Sequence, residues 1–190
     1  MTAMDLCSDL WCILGVIWLA TALWTKRSQE RASFSSRLTY GAPVALSFYV
    51  TFGGYTGLSW LQGRLYPHNS TAETLGVVLT ALGLGFATWA RFSIGANWSS
   101  AVSVKVDHQL VRTGPYAWVR HPIYSGLLLG MVGTAITLGK IRAWVGLILL
   151  WLAFWIKSRM EERFMLKTFG PDYEEYSRST GALIPRLRRS

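Results

Sequence analysis

Two short stretches hold most of the residues able to do polar chemistry. One runs Gly114-Pro115-Tyr116 and then Arg120-His121-Pro122-Ile123-Tyr124-Ser125-Gly126; the other is the acid pair Glu161-Glu162. Gly114-Pro115 marks a turn. Pro122 suits the first turn of a helix, where no backbone N–H is required, so His121-Pro122 predicts a helix start. Such a start offers free N–H groups and a partial positive charge to an anion. A carboxylate suits an ammonium, and a tyrosine face suits a cation or a flat ring. Adjacent residues on a helix point about 100° apart, so Glu161 and Glu162 are expected to do different jobs. No Cys/His cluster has zinc spacing and no glycine loop would cradle a phosphate. A plainer account exists for each residue. Tyr116 and Tyr124 fit a membrane-interface belt, and Arg91 a snorkelling side chain. Lys157 and Glu161 fit an i, i+4 pair, and the two acids fit partners for Arg159 or Arg163 on a solvated helix face.

These residues sit between long apolar runs. Half of the 190 residues are apolar, 15% are charged, and the net charge is +9. That charge would raise nucleic acid as a partner, but its placement between apolar segments follows the membrane rule instead, so no nucleic acid is expected. The expected fold is an all-α integral membrane protein in one domain over 1–190. Five spans are predicted at about 6–25, 40–61, 73–92, 122–138 and 142–156, each near the ~20 residues that cross a bilayer. No basic residue precedes the first, which therefore reads as a retained helix rather than a signal peptide. Glycines on the second, third and fourth predict close helix approach. The short link at Gly139-Lys140 predicts an antiparallel hairpin of spans four and five. Cys7 and Cys12, five apart on one helix, face different ways and do not pair.

Sixteen of the nineteen Lys and Arg residues fall on one side of this arrangement, leaving Arg64, Lys140 and Arg142 on the other. The N-terminus is thus expected outside and the C-terminus in the cytoplasm. The cytoplasmic pieces are 93–121, with an extended segment at 103–107, and 157–190. In the second, Lys157 to Phe169 prolongs span five as an amphipathic helix. Gly170-Pro171 stops it, Asp172 caps a further helix to Ser179, and the Arg-rich end contacts anionic lipid.

The two stretches together resemble the isoprenylcysteine carboxyl methyltransferase family, over about Arg91 to Pro185. Phe169-Gly170-Pro171-Asp172-Tyr173-Glu174-Glu175-Tyr176 is also similar to its Phe-Gly-x-x-Tyr-x-x-Tyr pattern. The small size and five spans look like prokaryotic members, the archaeal one among them. The resemblance implies a membrane methyltransferase using S-adenosylmethionine, and a lipophilic or prenylated acceptor reached through the membrane lipids. It implies cofactor contacts from His108-Gln109-Leu110-Val111, Tyr116, His121-Pro122-Ile123-Tyr124 and Glu161, with Ser103 matching a further polar position. Where the family has a substrate-binding arginine, this chain has Lys157, with Arg159 two residues later.

The chemistry of these residues agrees. Glu161 suits the cofactor's ammonium, the helix start its carboxylate, and Tyr116 and Tyr124 its adenine or sulfonium. Methyl transfer to a carboxylate needs no base; it needs the anion held in line, a task for Arg120, Lys157 or Arg159. A phospholipid N-methyltransferase is the nearer rival, and its amine would need a base such as Glu162. A sterol-type NADPH reductase shares related Gly-Pro-Tyr and Arg-His-Pro motifs. It would also show Arg-Cys before Lys-Tyr-Gly, which is absent here. A membrane scaffold would bind no cofactor.

Overall fold

Small residues decide how the helices pack. The computed structural model describes residues 1–22, 28–31, 33–53, 57–98, 103–105 and 110–186. Its helices are α1 (Ala3–Ala22), α2 (Phe34–Phe52), α3 (Ser70–Ile94), α4 (Pro122–Leu138), α5 (Ile141–Phe169) and α6 (Pro171–Ser179). Gly76 and Gly83 of α3 face Gly126, Gly130 and Gly133 of α4. A Cβ on Gly133 would lie 2.4 Å from the Gly76 carbonyl oxygen and the Thr80 nitrogen. One on Gly126 would lie 2.6 Å from the Ala87 nitrogen and the Gly83 carbonyl oxygen. The two backbones touch, and only glycine leaves room for that. The Thr80 hydroxyl donates to the carbonyls of Gly76 and Gly130. The Trp11 indole N–H donates to Thr134 Oγ1 at 3.0 Å, which ties α1 to this seam. Buried hydroxyls that donate to helix carbonyls need no water, which suits an apolar environment.

The predicted hairpin of spans four and five is real as a connection, turned at Gly139 with φ +63°. It is not the main packing pair, because α4 lies chiefly on α3 and α5 chiefly on α2. Ser47 donates to the Gly146 carbonyl at 2.7 Å across the second of these contacts.

The second apolar run, expected as one span over 40–61, is broken. α2 starts earlier, where the Ser33 side chain caps it by accepting from the Ser36 N–H, and it stops at Gly53; Ser59–Gln62 is a separate 3-10 turn. The extended segment appears as β2 (Ser103–Lys105), paired antiparallel with β1 (Ser28–Arg31), a strand the apolar pattern did not show. The two clasp the connection after α1 to the segment before α4. α5 is continuous, as expected: its apolar part ends at Ile156 and its charged part runs on to Phe169. Gly170, not Asp172, occupies the cap of α6, because its φ of +49° lets the chain reverse before Pro171; Asp172 sits in the first turn.

Arg91 does not snorkel. It is 2% exposed and donates to the carbonyls of Thr21 at 2.6 Å and Gly95 at 3.0 Å, beneath Trp98. The carbonyls left over at two helix ends supply what water would have supplied. Among the described residues, Ala3–Ala22, Ser70–Asn97 and Ile141–Phe169 are long and apolar enough to cross a membrane, and Pro122–Leu138 is a shorter apolar helix.

Candidate active site

The site begins at a 3-10 turn, Gly114–Ala117, entered through Gly114 at φ +59° and stiffened by Pro115. It buries Tyr116, whose carbonyl accepts from the Tyr176 hydroxyl of α6 at 2.6 Å. The chain then runs beside its own C-terminal segment. The N–H groups of Arg120 and His121 donate to the carbonyls of Gly181 (2.8 Å) and Ala182 (3.1 Å), and the Ser125 hydroxyl donates to Leu183 at 2.5 Å. His121 caps α4 and Pro122 is its first residue, as expected. The helix start is nevertheless not the open anion site that the residues predict. Residues 181–183 lie across it and Pro122 is fully buried.

At this corner α5 delivers its two acids in different directions. The Tyr124 hydroxyl donates to Glu161 Oε1 at 2.6 Å, and His121 Nδ1 lies 3.4 Å from Glu161 Oε2. His121 Nε2 lies 3.4 Å from Glu162 Oε1, which also receives Arg120 Nε at 3.0 Å and Arg120 Nη2 at 2.7 Å. Arg120 Nη1 donates to the carbonyls of Ser177 and Thr180, so its guanidinium pins α6 as well. His121 thus stands between two carboxylates, one at each ring nitrogen. Its ring stacks on Tyr124, which stacks on Phe154.

Burial disfavours the His121 imidazolium, but the hydrogen bonds and charges of Glu161 and Glu162 outweigh it, and the pKa is raised. Burial would raise Glu162 too; His121 and Arg120 win and draw it down to about 2. Glu161 is also lowered, by His121 and Lys157 against its burial. The corner therefore favours ionised acids and a protonated histidine. Their partners are not Arg159 or Arg163, the surface pairing that spacing alone allows.

The remaining expected residues divide. Lys157 shares the inner side of α5 with Glu161, its ammonium 5.2 Å from the Tyr40 and Tyr124 ring centres. Arg159 lies on the other side, over Trp155, so the two candidate cations are not equivalent. Pro122 and Ile123 are buried packing residues. Val111 packs against the core beside the corner, and Leu110 is half-buried. Ser103 pairs through its backbone with Arg31 on β1. His108 and Gln109 lie outside the described residues.

Tyr40 was missed. It is buried on α2 against Ile156, Met160 and Phe164, beneath Lys157, and no motif marked it. Residues 181–183 were missed for the same reason. Tyr173 and Tyr176 were marked only by the tyrosine pattern of the tail.

The profile of the family described as phospholipid methyltransferase matches residues 71–172. Protein-S-isoprenylcysteine O-methyltransferase of Saccharomyces cerevisiae is 35% identical over 114 residues, 58% of this chain and 48% of that protein. The Rattus norvegicus protein of the same name is 31% identical over 176 residues, 90% of this chain and 60% of its own. A solved eukaryotic intramembrane Ras methyltransferase, isoprenylcysteine carboxyl methyltransferase, superposes with a TM-score of 0.56 at 26% identity. That match covers 80% of this chain and 51% of the other. The chain spans about half the length of the curated relatives it matches.

Proposed function

Because the chain belongs to the phospholipid methyltransferase family, we propose that this integral membrane protein transfers a methyl group from S-adenosylmethionine to a lipophilic acceptor, the α-carboxylate of an isoprenylcysteine-like molecule. One observation carries the choice of acceptor. His121 is placed between Glu161 and Glu162, an arrangement that favours the protonated imidazole and the ionised carboxylates. A carboxylate held at a pKa of about 2 and an imidazolium are both poor bases. An amine acceptor would need one; a carboxylate is already a nucleophile. This disfavours phospholipid N-methylation, and the names of the curated relatives agree.

The donor set fits the cofactor. Glu161 has Tyr124 and His121 as partners and the Lys157 charge nearby but no guanidinium, so its carboxylate is the acid of the pair suited to an ammonium. Glu162 is already neutralised by Arg120. Tyr124 and Tyr116 supply aromatic walls, Leu110 and Val111 lie beside them, Ser103 stands on β2, and His108 and Gln109 complete the proposed set. When bound, the cofactor supplies the electrophilic methyl group. The chain's own work is to fix Glu161 through Tyr124 and His121 and to hold the acceptor carboxylate by Lys157. Arg120 locks α6 and residues 180–181 over the corner and so keeps water from it.

The five-span arrangement, with the N-terminus outside and this corner in the cytoplasm, follows from the basic residues that flank it. Titration of the detergent-purified protein with S-adenosylhomocysteine and with NADPH, followed by turnover of a farnesylcysteine analogue, tests the proposal. Binding of S-adenosylhomocysteine alone and methylation of the carboxylate are expected. Binding of NADPH alone overturns it.

A further inference from the structure

The methyl-transfer chemistry uses one side of α5; the opposite side carries a stripe of its own. Trp155, Arg159, Glu162, Arg163 and Leu166 recur at helical spacing and share one face, whereas Lys157 and Glu161 point the other way. This stripe and Tyr173 of α6 line a cavity of about 730 Å³ between the two helices. Its charges do not balance. Glu162 is committed to Arg120 at 2.7 Å, and Glu174 on the far wall to Arg178 at 3.5 Å. Among the described residues neither Arg159 nor Arg163 has an ion pair, and the Arg159 guanidinium rests over the Trp155 ring at 5.8 Å. The two free guanidinia lie one turn apart, just past Ile156, where the apolar part of α5 ends. With the span ending at Ile156, that corresponds to headgroup depth, with an apolar wall below it and a helix lying over it.

We propose that this groove holds an anionic phospholipid, its phosphate bridging Arg159 and Arg163 and its glycerol and upper acyl chain running down over Trp155. Two uncompensated guanidinia suit a phosphodiester with no cation of its own better than a zwitterionic headgroup. The acceptor is a poorer occupant. The inner end of the groove is the Arg120–Glu162 pair, and the His121 ring stands between that pair and Glu161. The bound lipid would stitch α6 to α5. The inference needs only the membrane setting and is independent of the methyl-transfer reading.

Thermal melting in detergent micelles tests it. Phosphatidylglycerol at a hundredfold excess over its dissociation constant is expected to raise the melting temperature by roughly 5–10 °C, with no rise from phosphatidylcholine or inorganic phosphate. The double variant Arg159→Gln, Arg163→Gln is expected to lose the rise while melting normally in phosphatidylcholine. A tail variant, Arg188→Gln, Arg189→Gln, is expected to keep it. Native mass spectrometry should show the lipid adduct on the tail variant and not on the groove variant. Equal effects of the two lipids, an effect of phosphate alone, retention in the groove variant or loss in the tail variant would each overturn the proposal. So would displacement of phosphatidylglycerol by a farnesylcysteine analogue, which would make the groove the acceptor's.

Discussion

The α3–α4 seam and the corner formed by α4, α5 and α6 are both tightly packed, and they achieve it by opposite means. In the seam nothing is charged. Glycines bring two backbones into contact, and the threonine hydroxyls find their partners on helix carbonyls. In the corner nearly every group is polar. Arg120, His121, Glu161 and Glu162 are compact because each charge has an opposite one within hydrogen-bonding reach. The seam has no room for an added atom; the corner cannot lose a charge without stranding its partner. The proposed site has the second kind of packing, in which a ligand can trade places with an internal partner.

The contrast can be broken at several points. Gly133→Val puts side-chain atoms where a Cβ alone meets backbone at 2.4 Å. The expected cost is above the ~1–3 kcal/mol of ordinary overpacking, read as loss of monodisperse protein in detergent. Normal folding would mean that the backbones do not touch. Glu161→Gln keeps the shape and removes the charge. With a buried partner left unpaired at ~3–5 kcal/mol, S-adenosylhomocysteine affinity should fall at least ~100-fold by calorimetry; unchanged affinity would leave Glu161 a structural acid. Tyr124→Phe removes one hydrogen bond to a charged group, ~1.5–3 kcal/mol, and should weaken the same ligand by roughly ten- to a hundredfold.

A pH series sharpens the comparison further. The raised pKa of His121 gives stability that is fully present below 6.5 and lost as the pH rises through the folded-state value. The lowered pKa of Glu162 gives stability present above 4.5 and lost as the pH falls towards about 2. Melting temperature against pH should therefore fall on both sides, and His121→Gln should flatten the alkaline limb. A flat wild-type profile would count against the paired corner. The smallest effect is expected at Gly85, where an added Cβ meets nothing within 4 Å. Gly85→Ala should leave melting unchanged or raise it by up to ~1 kcal/mol of helix propensity, in contrast to Gly133.

How much was legible differs between these regions. The seam could be read from glycine spacing on two apolar runs, because helical periodicity is local and small residues permit only close packing. Its partner assignment could not: the short link at Gly139 points to α4 against α5, while surface complementarity selects α3. In the corner, Glu161 and Glu162 were correctly expected to part, since adjacent helical positions diverge by about 100°. Their partners were not legible, because sequence proximity favours Arg159 and Arg163 while the fold brings Arg120 and His121. Arg91 shows the same limit, reading as a surface cation until two helix ends converge on it.

The sequence by itself determined the helical, membrane-bound class, the helix start at Pro122 and the long continuous fifth helix. Each of these follows from composition, period or a motif within one stretch of chain. Only the tertiary structure decided that Tyr124 and His121 meet Glu161 on the side of α5 that it shares with Lys157. It alone placed Tyr40 beneath that lysine and laid residues 181–183 across the start of α4. Those are contacts between stretches far apart in sequence, and they depend on which faces bury together, something no local pattern encodes.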